Sequence, residues 1–547
     1  MLQIIPYWIP VMRALPTIPT VSINKLILFT ALLFVLIYNR TFFQNSLAVY
    51  GHDYSGLVFV SSLALFLYAV TVLVLGLLCF RWLTKPVLIA VVLFASMANY
   101  YMAQFNIVVD TTMITNIVAT DQREVLDLLS IRMLVQLLLL GVLPALLIWK
   151  TPIKCRTFTT EIWQRIKLLA AAFSLMLLSM LPFTDQYSGF FREHKLLRYY
   201  ANPATFIYSI GKLLEMELDE QYDGPRQVVG SDAQIPPEDK DRELIILVVG
   251  EAARADHFSI NGYGKNTNPL LSGKNLISYS NVLSCGTATA YSLPCMFSLQ
   301  NRDTFDLDMA DTSENLLDVL VHAGVDVLWR DNNSDSKGVA DFVEYESFHS
   351  PDSNPVCDEE CRDIGMLSGL DTWIAHHPEG DLTIVLHQMG NHGPAYYRRY
   401  PQEFERFVPA CHSSELSDCS TEEIENAYDN AILYTDYFLA SVIDFLTRYD
   451  ASFETAMYYM ADHGESLGEN GLYLHGLPWM LAPHVQKNPA SLLWLGANYA
   501  ADTQTMASRA VDAISHDNYF HTVLGLMEIQ TTVHDPAMDL IIHSSGI

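Results

Sequence analysis

The chain reads as two parts of different fold class. Residues 1–184 form an α-helical transmembrane domain of five spans, and residues 243–547 form an α/β domain whose mostly parallel sheet is sandwiched by helices. Residues 185–242 join them as an interfacial bridging helix and a linker. Three observations carry this reading. Half of the 547 residues are hydrophobic, yet Asp and Glu number 61 against 32 Lys and Arg. These opposed traits separate along the chain, with apolar runs before about residue 184 and acidic residues after about residue 214. Short β-branched runs then alternate with helix-length segments. Finally, MYYMADHGESLGENGLYLH, from Met457 to His475, sets Asp462, His463 and His475 behind an apolar run. Open α/β sheets bind ligands at that carboxyl edge of their strands.

A hydrocarbon core of roughly 30 Å takes about 20 helical residues to cross. Five stretches are long and apolar enough: Ile23 to Tyr38, Leu57 to Phe80, Pro86 to Phe105, Met133 to Trp149 and Ile166 to Phe183. No small-residue cleavage site follows the first, so it reads as a retained anchor. Arg13 precedes it and Lys25 stands in its first turn, Arg81 and Lys85 separate the second and third spans, and Lys150, Lys154, Arg156 and Arg165 separate the fourth from the fifth, in whose first turn Lys167 stands. The other loops are poor in Lys and Arg, so the amino terminus is expected in the cytoplasm and everything after Phe183 outside.

Between the third and fourth spans lies MITNIVATDQREVLDLLS, in which Asn116, Thr120 and Glu124 recur every four residues and share a helical face. By themselves they read as an amphipathic connector with its polar stripe toward water. After the last span, FFREHKLLRYYANPATFIYSIGKLL mixes aromatic and basic residues as a helix lying in the membrane interface does. The Pro-, Gly- and Asp-rich stretch from Leu218 to Arg242 reads as the linker.

In the second half, Leu244 to Val249 is a continuous apolar run, as in a parallel strand covered on both faces. Similar runs recur at Val325 to Trp329, Leu382 to Leu386, Ala456 to Met460 and Leu492 to Leu495, with a long helix over Thr421 to Tyr449. Glu251, the Asp331 to Lys337 loop, His387 to His392, and Asp462 with His463 each follow a strand directly, so they converge on one edge. Asp and His are ligands for a zinc-like metal, and His475 can fold back toward them past a Gly-rich turn. No basic patch exists to track phosphates, which excludes nucleic acid as a partner.

Six of the eight cysteines fall in this half as close pairs, Cys285/Cys295, Cys357/Cys361 and Cys411/Cys419. Three local disulfides in an oxidising compartment are the simplest pairing; a structural zinc site is disfavoured because C-x-x-C spacing is lacking. Between the first pair, SCGTATAYSLPCMF offers Thr287, Thr289 and Ser292 at the start of a helix, where the dipole favours an alkoxide or a bound phosphate. An N-cap hydroxyl is the other use of such residues. Spacing does not choose among the three.

Together GEAARADHFSINGY, SCGTATAYSLPCMFS, HQMGNHGPAYYRRYP, ADHGESLGENGLYLHG and SHDNYFHTVLGL resemble the ordered signature blocks of bacterial phosphoethanolamine transferases, the lipid A modifying and colistin-resistance enzymes of alkaline-phosphatase-like fold. The resemblance spans the whole chain. It implies a metal site of Glu251, Thr289, Asp462 and His463 holding one or two zinc ions, with Thr289 as nucleophile. It implies that His392 and His475 bind phosphate or a second metal and take part in catalysis, with His387 as a neighbour. Asn333, Ser334, Lys337, Asn116, Thr120 and Glu124 match positions for the substrate headgroup. The Cys357/Cys361 loop is shorter than the family's.

The implied reaction moves phosphoethanolamine from phosphatidylethanolamine to Thr289, releasing diacylglycerol, and then to a lipopolysaccharide acceptor, foremost a lipid A phosphate. Glu124 and Asn116 would recognise the donor's ammonium, and protonated His392 or His475 would serve the phosphoryl group. The implied setting is a monomer in the bacterial inner membrane with its catalytic domain in the periplasm. A membrane-bound sulfatase, phosphatase or phosphoglycerol transferase shares the fold but has no use for Glu124. A membrane sensor with a degenerate site is opposed by the intact Glu251, Thr289, Asp462 and His463.

Overall fold

The computed structural model describes residues 20–119, 122–154, 156–219 and 225–543. Arg13, Thr120, Cys155 and residues 220–224 of the linker lie outside these, as does the side chain of Glu124. The chain divides into two compact units, one ending at Tyr100 and resuming over Ile131–Thr205, the other made of Tyr101–Ser130 and Phe206–Ile547. The loop between the third and fourth expected spans thus groups with the α/β unit, which a boundary at residue 184 does not provide. The bridge likewise divides at Thr205.

Four helices among the described residues are long and apolar enough to cross a membrane: Tyr54–Leu78, Arg81–Phe105, Ile131–Lys150 and Phe158–Arg192, all in the first unit except for the last five residues of the second helix. A fifth span exists if Ile23–Tyr38 and Arg40–Tyr50, bent by 58°, count as one. The bend has a local cause. Asn39 between them is buried, and its side-chain amide donates to the carbonyls of Phe34, at 2.9 Å, and Asn202, at 2.6 Å. A side chain that takes over a helical carbonyl interrupts the ladder there.

In the second unit the sheet strands are β1 (Glu243–Gly250), β2 (Leu276–Tyr279), β3 (Asp326–Asp331), β4 (Glu344–Ser347), β5 (Leu382–His387), β6 (Glu454–Ala461) and β7 (Ser491–Leu495), in the order β2-β7-β6-β1-β5-β3-β4. The pairs β6-β1-β5-β3-β4 are parallel, whereas β7 runs antiparallel to both neighbours. The five expected strands are present. The edge strands β2 and β4 were not expected, because half-exposed LISY and EYES offer no continuous apolar run.

Along β1 the side chains alternate between two cores. Leu244, Ile246 and Val248 enter one, and Ile245, Leu247 and Val249 the other. This period of two buries both faces of a central strand. Five helices bear on the site: α1 (Thr111–Ala119), α2 (Gln122–Leu128), α3 (Thr289–Phe297), α4 (Thr421–Thr447) and α5 (Asp517–Leu526). Helix α4 starts with a capping box, Ser420 against Glu423, and packs Phe438, Val442 and Leu446 into the first core. Helix α5 fills the second with Tyr519, Phe520 and Val523. Phe105, Ile107 and Met113 also join the first core, and α1 packs against α3. Apolar burial therefore holds Tyr101–Ser130 on this unit.

Candidate active site

Register levels the ends of the parallel strands. Gly250 pairs with Ala461, Val249 with His387, and Asp331 with His387, so Glu251, Asp462, His463 and the loops after β3 and β5 leave the sheet at one edge. Asp462 is fixed by its Oδ1, which accepts from the backbone N–H of Ala252 at 3.2 Å and of His463 at 2.8 Å. Its Oδ2 is buried and has no hydrogen-bond partner among the described residues. That oxygen lies 3.4 Å from His463 Nε2, and Glu251 Oε1 lies 3.6 Å from the same nitrogen.

The tautomer of His463 follows from its other nitrogen. Nδ1 sits 2.9 Å from the Gly464 carbonyl, which can only accept, so Nδ1 carries the proton and Nε2 directs a lone pair at the carboxylates. Burial holds His463 below the ordinary histidine pKa even with Asp462 beside it. Thr289 Oγ1 donates to Glu251 Oε2 at 3.1 Å and lies 3.4 Å from His463 Nε2. Lone pairs that face one another repel unless a cation stands among them. Two carboxylates, one imidazole and one hydroxyl fit a divalent metal, and ligand atoms of Glu251, Asp462 and His463 lie within 4.8 Å of one another.

Geometry also separates the three hydroxyls. Thr287 Oγ1 donates to the Leu477 carbonyl at 2.6 Å, and Ser292 Oγ to the Asp462 carbonyl at 2.5 Å. Both brace backbone, leaving Thr289 to face Glu251. The N-cap of α3 is Ala288, so no hydroxyl is used as its cap.

Beside this cluster stands a second. His475 Nδ1 lies 2.9 Å from Glu465 Oε2, and Glu465 Oε1 accepts from the Tyr396 hydroxyl at 3.0 Å. Tyr396 and Glu465 are buried, and burial together with Glu465 holds the phenol far above its usual pKa, so it remains a donor. The His475 ring is 4.3 Å from that of His463 and 5.6 Å from that of His392. His463, Glu465 and His475 form another group able to hold a metal. Burial, then neighbouring His475, Arg399 and His463, hold His392 well below the ordinary histidine range. This environment favours the neutral imidazole over the protonated form.

Of the residues expected at the headgroup, Asn333 reaches the first cluster, its amide donating to Glu251 Oε2 at 3.0 Å and to the Gln388 carbonyl at 2.7 Å. Lys337 Nζ turns back onto Ser334 Oγ at 3.0 Å. Asn116 lies on α1, which packs against α3. Thr120 and the Glu124 side chain lie outside the described residues, so the stripe is placed only at Asn116. His387 differs from expectation: it has no exposed surface, its Nδ1 lies 2.8 Å from Asp331, and its ring meets Trp329 edge-on. These contacts tie His387 into the end of the sheet, because β5 ends one residue later than expected and takes His387 into its last position. Disulfides join Cys285 to Cys295, Cys357 to Cys361 and Cys411 to Cys419, the first bracketing Thr289.

Three site residues had no assigned role in the sequence reading. Glu465 was visible as an acid two residues after His463. Tyr396 had no signal beyond its place in HGPAYY. Asp363 accepts from the N–H groups of Met389, at 2.9 Å, and Gly390, at 3.2 Å, shaping the loop to His392. Nothing in its local sequence marks that long-range contact.

The chain is similar to known proteins along most of its length. Residues 243–529 match the sulfatase family, and residues 67–218 match the family described as phosphoethanolamine transferase EptA/EptB. Phosphatidylethanolamine transferase Mcr-2 of Escherichia coli is 41% identical over 523 residues, covering 93% of this chain and 96% of its own length. Phosphoethanolamine transferase EptA of Escherichia coli K12 is 35% identical over 542 residues, covering 96% and 97%. The solved integral membrane protein lipooligosaccharide phosphoethanolamine transferase A from Neisseria meningitidis superposes with a TM-score of 0.91 at 31% identity, over 96% of this chain and 99% of its own. With relatives of 41% and 35% identity that match along nearly their full length, and with the sulfatase family matched over residues 243–529, the chain belongs to the phosphoethanolamine transferases of the alkaline-phosphatase and sulfatase superfamily.

Proposed function

We propose that this protein transfers phosphoethanolamine from phosphatidylethanolamine to a phosphate of lipid A, with Thr289 as the covalent carrier. The observation that carries the reading is the Thr289 hydroxyl, donated to Glu251 Oε2 at 3.1 Å and lying 3.4 Å from His463 Nε2. Glu251 is thereby the group placed to take the Thr289 proton as Oγ1 attacks phosphorus. The bond from phosphorus to the glycerol oxygen breaks, and diacylglycerol leaves with a proton. His475, oriented by Glu465, is the candidate donor of that proton. An acceptor phosphate oxygen then attacks the phospho-threonine and restores the hydroxyl.

Glu251, Asp462, His463 and Thr289 would hold a zinc ion; the group of His463, Glu465 and His475 shares the single free lone pair of His463 and would not be filled beside it, which leaves His475 free to donate its proton. Zinc, when bound, supplies Lewis acidity that favours a deprotonated hydroxyl and offsets phosphoryl charge. Asn333 keeps Glu251 turned toward Thr289, and Asn116 would meet the donor headgroup. The relatives are named for phosphatidylethanolamine, phosphoethanolamine and lipooligosaccharide, which supports both the transferred group and a glycolipid acceptor. The setting we infer is the bacterial inner membrane, with the catalytic unit in the periplasm and the amino terminus in the cytoplasm.

The test supplies the purified full chain with phosphatidylethanolamine labelled in its headgroup, and with lipid A. Diacylglycerol release and label on lipid A are expected, abolished by Thr289→Ala and by chelation, and restored by zinc. Label released only as free phosphoethanolamine would make the protein a hydrolase. In cells, successful transfer lowers outer-membrane negative charge and reduces sensitivity to polymyxin.

A further inference from the structure

Asp127 lies near the end of α2, in the segment that connects one candidate span, ending at Phe105, to the next, starting at Ile131. Its side chain is only 5% exposed, and two arginines close on it. Arg398 Nη1 lies 2.5 Å from Oδ1, and Arg399 Nη2 pairs with Oδ2. The Arg399 side chain is 2% exposed and fully engaged. Its Nη1 lies 2.5 Å from Glu360 Oε1, and its Nε donates to the His392 carbonyl at 2.7 Å. A buried guanidinium is stable only when its rigid fork meets matched acceptors, and without Asp127 the two arginines would be left with the carboxylate of Glu360 between them and the Nη2 arm of Arg399 would lose its acceptor. The position of Arg399, and with it the main chain of His392, therefore depends on Asp127. No sequence motif singled out Asp127, and nothing in the proposed reaction uses it.

We propose that Asp127 is a positioning residue for the transfer reaction: through Arg399 it fixes the His392 main chain and so sets the His392 imidazole beside His475. The segment that carries Asn116 then completes the active site as well as meeting the donor. This inference rests on the reading that His392 serves the phosphoryl group.

The test uses the full-length, metal-loaded protein and measures diacylglycerol release from phosphatidylethanolamine vesicles for wild type, Asp127→Asn, Asp127→Glu, Arg399→Lys, Arg399→Gln and the Asp127→Asn/Arg399→Gln pair. Loss of alignment without loss of a binding contact lowers kcat by between about 10-fold and 100-fold and leaves KM within about twofold. That result is expected for Asp127→Asn, with unchanged zinc content and unfolding midpoint, and with most of the rate regained in Asp127→Glu. The paired variant is expected to be no slower than the slower single variant, because both changes cut one path. Wild-type kcat in a folded Asp127→Asn protein, a change in KM alone, or fully additive losses in the pair would overturn the proposal. Should Asp127→Asn not fold, Arg399→Lys decides: one ammonium cannot span two carboxylates and a carbonyl, so its kcat must fall, and a wild-type kcat would refute the inference. Absence of diacylglycerol release by wild type would instead fault the underlying transferase reading.

Discussion

The Thr289 hydroxyl donates to Glu251 Oε2 at 3.1 Å, while the other oxygen of that carboxylate lies 3.6 Å from His463 Nε2. One side chain thus contacts the nucleophile and faces the ligand cluster at once. Glu251→Gln removes the charge and turns an amide into a site that needs acceptors. Activity is expected to fall on the order of 10⁴-fold, with lower bound zinc by elemental analysis. Full zinc content with full activity would remove Glu251 from the site.

The Tyr396–Glu465–His475 chain orients one imidazole through buried partners. Tyr396→Phe leaves one Glu465 oxygen without its donor, and Glu465→Gln weakens its hold on His475. Each is expected to lower activity by about 10- to 100-fold, as loss of a supporting partner does. Steady-state kinetics on folded, zinc-loaded protein checks this, and wild-type rates would show His475 to be oriented by other means.

At the opposite edge of the sheet, Glu243 is 1% exposed, and burial, with Asp381 next to it, raises its carboxyl far above the usual range. A carboxyl raised on folding favours the folded state below its unfolded pKa, and this contribution is lost as pH climbs toward the folded value. The window therefore opens near pH 4.5 and runs upward. Glu243→Gln, which does not titrate, is expected to match wild type near pH 4.5 and to gain on it by up to about 1.4 kcal/mol per pH unit above that. Denaturant unfolding between pH 5 and 9 measures the gap, and a gap that does not grow with pH contradicts this assignment.

The Cys285–Cys295 bridge closes a ten-residue separation around Thr289. Replacing both cysteines by serine frees the unfolded chain and is expected to cost about 3 kcal/mol. Because the bridge brackets the nucleophile, specific activity should fall with stability. Unfolding midpoints and rates on the same preparation separate the two effects.

Much of the site was legible because parallel strands deliver their carboxyl ends to one edge. Glu251, Asp462 and His463 each follow an apolar run, and that pattern alone brings them together. Thr289 was not separable from Thr287 and Ser292, since the hydrogen bonds of those two to Leu477 and Asp462 are long-range. The edge strands Leu276–Tyr279 and Glu344–Ser347 escaped notice because a half-exposed strand lacks an apolar run. His387 was misplaced for a related reason: one residue decides whether a side chain belongs to a strand or to the loop beyond it. The bend at Asn39 and the Asp127–Arg399 pair depend on partners far along the chain, which no local pattern reveals.

Peptide mass spectrometry of the full chain, incubated with phosphatidylethanolamine without acceptor and then quenched, tests the covalent route. The predicted result is phosphoethanolamine on the peptide containing Thr289, absent from Thr289→Ala and discharged when lipid A is added. An adduct on another residue, or lipid A modification that proceeds in Thr289→Ala, would contradict Thr289 as the carrier.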